Sequence, residues 1–194
     1  MTAITGQRTD QIRVAGRGKV LINTVGALGP TNTTDAWGAS WVDLGYTTDA
    51  GVTFTKKDTF DNVPLWQSMS PGRKIPKERL IQFKFELVQL NSVTWSLWAG
   101  GGAVEANGAV TGEFVLDIDP DANADERALG IEWSDNNGAI VYRAVVAKAQ
   151  VTDTQDVVIG RTKAIGLGLT LDALTTDAVT PLVHMIGKDA NLAI

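Results

Sequence analysis

The stretch Leu80-Ile81-Gln82-Phe83-Lys84-Phe85-Glu86-Leu87 alternates without a break. Ile81, Phe83, Phe85 and Leu87 point one way, and Gln82, Lys84 and Glu86 the other. A period of two with one polar face predicts a half-buried strand over residues 80–90. Upstream, Trp41-Val42-Asp43-Leu44-Gly45-Tyr46 reads as a short strand. A turn at Thr48-Asp49-Ala50-Gly51 leads to a second, Val52-Thr53-Phe54-Thr55, so residues 41–54 form an expected hairpin. Between this hairpin and the long strand, residues 56–79 carry Pro64, Pro71 and Pro76 and show no helical period. Proline cannot serve a central strand, so this part is expected to be loop or edge. A loop of that length inside a small domain usually has a function. It is expected to stay disordered until a partner orders it.

Outward from this frame, residues 1–18 are polar and basic and read as an N-terminal arm. Lys19-Val20-Leu21-Ile22-Asn23-Thr24 reads as a strand, ended by Gly26. Asn91 is a fitting N-cap for one helix, about 92–99, through Val93, Trp95, Leu97 and Trp98. Gly100-Gly101-Gly102 stops it. Residues 111–118 alternate, with Phe114, Leu116 and Ile118 on the expected inner face. Residues 119–127 form an acidic loop, and Leu129, Ile131 and Trp133 an inner strand face. Asn137-Gly138 is the strongest hairpin signal in the chain. In residues 162–172, Ile165, Leu167, Leu169 and Leu171 alternate with Ala164, Gly166, Gly168 and Thr170, leaving one face almost bare. Residues 179–186 are a last strand or helical turn, and 188–194 a tail. The expected fold is all-β with one helix: a β-sandwich or partly open barrel with a long loop and terminal arms, in a single domain over 19–187.

Composition narrows the chemistry. The 194 residues are 44% hydrophobic and 20% charged, ordinary for a soluble globular domain. No apolar run is long enough to span a membrane, and the polar N-terminus resembles no secretory signal. There is no cysteine, which excludes disulfides, thiolate zinc sites and cysteine nucleophiles and suits a cytoplasmic protein. The single histidine, His184, sits in an apolar run and reads as structural. A net charge of −5 argues against a protein that grips phosphates. The charge is uneven. Residues 105–135 hold nine acids against Arg127 alone, a net −8, and residues 56–79 hold six bases and three acids, a net +3. Such asymmetry either steers one copy onto another or marks two solvated loops of opposite sign.

No catalytic constellation follows. Residues 117–126 space oxygen ligands two apart, but Ala122 and Ala128 stand where a calcium loop needs glycine and glutamate. Glu113, Asp117, Glu132 and Asp135 could supply carboxylate pairs for a hydrolase, as in any acidic β-protein. In a carbohydrate-binding β-sandwich, Trp37, Trp41 and Trp66 are the candidate contact residues, because Trp95, Trp98 and Trp133 fall on core faces. The remaining features fit subunit contact better. Lys56, Lys57, Phe60, Trp66, Arg73, Lys74 and Arg79 combine aromatic and basic anchors. Gly166 and Gly168 lie on the bare face, where another backbone could approach.

The segment Trp41-Val42-Asp43-Leu44-Gly45-Tyr46-Thr47-Thr48-Asp49-Ala50-Gly51-Val52 resembles the opening motif of tail tube proteins of long-tailed, siphovirus-type bacteriophages, particularly those infecting actinobacteria. The resemblance continues through Trp66-Gln67-Ser68, the strand Ile81 to Leu87 and the Asn-capped helix, covering about residues 19–102. It implies a non-enzymatic structural protein without cofactors. Six copies would form a ring, and rings would stack through the long loop and arms into a tube. The tube would surround a tape measure protein, end at a tail terminator and pass DNA without binding it specifically, with no membrane partner. It implies a place in the virion tail after assembly in the host cytoplasm. Glu113, Asp117, Asp119, Asp121, Asp125, Glu126 and Glu132 are then candidates for an acidic lumen wall or ring face, since a basic wall would hold DNA. A tail terminator or a type VI secretion-like tube protein is the nearest alternative.

Overall fold

The computed structural model describes residues 6–192 except 109, 122 and 123. Among these residues the strands are β1 (Arg17–Asn23), β2 (Val42–Asp43), β3 (Thr47–Leu65), β4 (Ser68–Leu87), β5 (Val104–Ala106), β6 (Phe114–Leu116), β7 (Glu126–Asp135), β8 (Ile140–Thr154), β9 (Leu167–Ala173) and β10 (His184–Lys188). Helix α1 (Ser92–Trp98) separates β4 from β5. The main sheet runs β2-β1-β7-β8-β9-β4-β3, with β10 also pairing β8, and β5-β6 is a separate two-stranded sheet.

The main sheet doubles over along β8. Residues 141–145 of β8 pair with β10, and residues 149–154 pair with β9. Irregular registers interrupt the ladder opposite Ala128 and at Thr152, and bulges of this kind bend a strand. Val20, Ile22, Leu129 and Ile131 of one wall thereby share a core with Phe83, Phe85, Leu169 and Leu171 of the other. The result is an open, all-β sandwich with one helix, as the sequence predicts. Leu97 of α1 is buried at the margin of this core. Asn91 caps the helix as expected: its side chain accepts from the amides of Val93 and Thr94, each at 2.9 Å. Asn137 and Gly138 turn β7 into β8 with φ of 54° and 89°, the left-handed region that this dipeptide favours.

Two expectations about the opening stretch are overturned. Residues 41–54 are not a hairpin. β2 pairs with β1, Ile22 opposite Val42 and Leu21 opposite Asp43. The Thr48-Asp49-Ala50-Gly51 turn is instead a bulge in β3, between the pairs Thr47–Leu87 and Val52–Phe85. The better partner for this strand is the apolar β4, against which Phe54 stacks on Phe83 with centroids 4.9 Å apart. Nor are residues 56–79 a loop. β3 and β4, 19 and 20 residues long, continue past the body as one antiparallel ribbon that turns at Trp66-Gln67. Its prolines accompany irregular pairing. Pro64 and Pro71 lie where the register breaks between Val63 and Leu65, and Pro76 pairs with Phe60 just beyond a second break. A free ribbon has two outer edges, so a missing amide proton costs little there.

Two further expectations fail. Of residues 111–118 only Phe114–Leu116 forms strand, and Phe114 and Ile118 are exposed rather than inward. His184 opens the edge strand β10 and is exposed rather than structural.

Candidate assembly surface

Among the described residues no three His, Cys, Asp or Glu side chains cluster to hold a metal. No helix there is long and apolar enough to cross a membrane. A cavity of ≈ 430 Å³ opens beside β1 and the β3 bulge, but its side-chain lining is largely apolar: Val20, Val52, Phe54, Phe83, Ile131 and Met185 among it. Of the proposed carboxylate pairs, Glu113 and Asp117 lie on or beside the β5-β6 sheet, whereas Glu132 and Asp135 belong to β7.

What stands out is the exposed surface. From Thr53 to Arg79 every residue of the ribbon is exposed except Asp58 and Thr59. Its apolar side chains therefore serve no core of their own. Phe60, Val63, Leu65 and Ile75 are exposed along its length, and Trp66 and Met69 sit at its tip at 97% and 106% relative exposure. Scattered exposed apolar residues are ordinary, but this many large ones on one projecting element point to an interaction surface. The sequence reading named Phe60 and Trp66 but missed Leu65, Met69 and Ile75. Proline content hid the strand alternation that would have shown them.

Ion pairing divides the predicted basic residues. Asp58 receives Arg79 Nε at 2.7 Å and Lys56 Nζ at 2.9 Å. Hydrogen bonds from Arg79 first and then Lys56 hold its carboxyl down at about 2. Lys56 and Arg79 thus brace the ribbon base. Lys57, Arg73 and Lys74 form no ion pair among the described residues.

The predicted acidic residues divide likewise. Glu126 meets Lys148 at 2.9 Å, and Asp125 meets Arg127 at 2.7 Å. Glu132 is bound up in the outer face of β1, β7 and β8. It accepts from Arg143 Nε at 2.6 Å and Trp37 Nε1 at 2.8 Å, and pairs with Lys19 at 3.1 Å. Burial pushes its carboxyl up, but the bonds from Trp37 and Lys19 and the Arg143 charge outweigh that, and it lies below its ordinary value. Arg143, itself buried, also donates to the carbonyls of Asn32 and Asp35 at 2.7 and 2.8 Å. Glu132 is therefore a structural acid that pins residues 24–41 down. Trp37 and Trp41 belong to the same patch, packed edge to face over Gly130, which leaves Trp66 as the exposed tryptophan of the three in the carbohydrate reading.

Glu113, Asp117 and Asp121 are exposed and form no ion pair among the described residues, and Asp119 is exposed too. They lie on or near the small β5-β6 hairpin, together with Glu105 and the exposed Val110, Phe114, Val115 and Ile118. Gly166 and Gly168 are not at the surface. A Cβ on Gly166 would collide with Glu86 Oε1, and one on Gly168 would meet the Gln155 side chain at 2.7 Å. The chain itself closes the face that the sequence leaves bare.

The long exposed ribbon is the dominant surface feature, and a family model described as phage tail tube protein matches residues 5–194. The chain belongs to the phage tail tube protein family. Comparison with curated proteins gives no match. Membership makes it a structural component of the virion tail.

In this tail tube protein the two terminal segments are tied together. Arg13 donates from Nε and Nη2 to the two carboxylate oxygens of Asp189, each at 2.7 Å. Tyr142 of β8 donates to Asp189 Oδ2 at 2.6 Å. Arg13, then Tyr142, holds the Asp189 carboxyl far below the ordinary carboxylate range. Arg13 and Asp189 are 176 positions apart, and no spacing pattern could have paired them.

Proposed function

We propose that this tail tube protein forms hexameric rings that stack into the tube of a siphovirus-type tail, conducting DNA to an actinobacterial host. In this reading the rings surround a tape measure protein and end at a tail terminator, after assembly in the host cytoplasm. The observation that carries the reading is the β3-β4 ribbon, a long paired element whose large apolar side chains Phe60, Val63, Leu65, Trp66, Met69 and Ile75 stand exposed. A ribbon that is already paired loses little conformational freedom on docking, so contact energy is not spent on folding it. The net charge of −5 suits a conduit that must not hold DNA.

Negative-stain microscopy of the purified chain tests this. Tubes or rings with a central hole are the expected result, and a single ring that never elongates would favour a terminator instead. Replacing residues 59–78 by Asn-Gly joins the paired residues Asp58 and Arg79 through a two-residue turn. This variant should fold and remain monomeric. Normal tubes from it would remove the ribbon from assembly.

A further inference from the structure

We infer that the distal β3-β4 ribbon of one copy seats on the β5-β6 hairpin of another copy. This rests on the assembly reading above and names the receptor for the ribbon. The two elements are complementary in charge and alike in exposed apolar content. Residues 104–121 hold five acids and no base, whereas the ribbon segment 53–79 holds six bases and three acids. Internal pairing sharpens the contrast. Lys56 and Arg79 are occupied by Asp58, which leaves Lys57, Arg73 and Lys74 without an ion pair among the described residues. Asp125, Glu126 and Glu132 are occupied by Arg127, Lys148 and Arg143, which leaves Glu105, Glu113 and Asp117 as the counterpart.

Apolar side chains stand beside these charges on both elements. Val63, paired with Arg73, and Ile75 share a ribbon face with Arg73, Phe60 shares the other face with Lys74, and Val115 alternates in step with Glu113 and Asp117. A two-stranded hairpin is marginal alone, so β5-β6 gains most from a covering partner.

The ribbon of the same chain is badly placed to be that partner. β4 has 20 residues, and at about 3.3 Å each it spans up to roughly 66 Å. The ribbon tip lies at the start of β4, whereas α1, which adjoins β5, follows its end. The receptor thus belongs to another copy. Because ribbon and receptor are different patches, the contact is head-to-tail and propagates instead of closing as a two-fold dimer.

Charge reversal tests the pairing in the full chain. R73E/K74E and E113K/D117K should each lower the sedimentable, assembled fraction about tenfold or more, because like charges then face each other. Both variants should keep the wild-type circular dichroism and melting temperature. Mixing them in equal amounts should restore assembly, since each supplies the ribbon that the other's receptor needs. As a second measurement, the chain has no native cysteine to interfere, so an N62C copy and a V115C copy mixed and oxidised should form the heterodimer in preference to either homodimer.

Wild-type tubes that the reversals leave unchanged, or folded reversals whose mixture stays monomeric, would overturn this contact and leave the tube reading standing. A cross-linked N62C–V115C pair from a protein that forms no ring or tube would support the contact and overturn the tube reading. Neither assembly nor cross-link would overturn both.

Discussion

Gly130→Ala isolates what holds residues 24–41 on the outer sheet face. A Cβ at this position would lie 2.5 Å from Trp37 Cζ3, 2.7 Å from Trp37 Cη2 and 3.0 Å from Trp41 Cζ3. Neither ring is a flexible side-chain end. Trp41 is buried, and the two rings pack edge to face with centroids 4.9 Å apart. Trp37 must therefore withdraw. That stretches its 2.8 Å bond to Glu132 and shifts it from beneath the Arg143 guanidinium, 5.7 Å from its ring centroid. Overpacking of this kind costs about 1–3 kcal/mol, and a hydrogen bond to a charged acceptor about 1.5–3 kcal/mol. Trp37 is only partly buried and can relax, so the expected total is about 3 kcal/mol, between those limits. For a chain of this size that lowers the melting temperature by roughly 6–12 °C. Thermal unfolding followed by circular dichroism measures it. The double variant G130A/W37L should lose less than the sum of its single changes, because leucine vacates the space the methyl needs. A melting temperature within about 1 °C of wild type for Gly130→Ala would refute the packing argument.

Three other outcomes are expected. Asp58 has its carboxyl depressed from 3.8 to about 2, so its bracing of the ribbon base is fully present above pH 3.8 and is lost as pH falls through about 2. Amide shifts of Thr59 and Glu78 should report that loss in the wild type, and an Asp58→Asn variant should show none of it; equal titration of both would discard the assignment. Asp189→Asn should weaken the clamp on Arg13 and speed tryptic cleavage at Arg13, read by mass spectrometry, and unchanged cleavage would mean that something else holds the segment. Asn91→Ala removes the acceptor of two helix amides and should cost about 1 kcal/mol in urea unfolding, with a loss below a few tenths counting against the cap.

Much of this protein was legible in local pattern. The alternation of Ile81, Phe83, Phe85 and Leu87 gave a strand whose apolar face is buried. Asn91 with its glycine stop gave the helix, and Asn137-Gly138 gave the β7-β8 hairpin. These signals are local because period, cap and left-handed turn each depend on a few adjacent residues.

Which elements meet depended on the tertiary structure. Val52–Thr55 alternates equally well for a partner on either side, and only the apolar face of β4 made the long ribbon the better pairing. Phe114 and Ile118 carry a core-like period, yet they lie on or beside the separate β5-β6 sheet and stay exposed. Charge counts gave the opposite signs of the two regions correctly. They could not tell Lys56, which Asp58 engages, from Lys74, which makes no ion pair among the described residues, nor Glu132 beneath Arg143 from the exposed Glu113. Sequence determined the core strands around β4, β7 and β9, the helix and the sign of each surface, because those follow from residue type and short-range order. Folding decided which charges and apolar groups remain for another copy, because pairing across 11 residues, as in Glu132–Arg143, or across 176, as in Arg13–Asp189, is set by where the sheet doubles over and not by spacing along the chain.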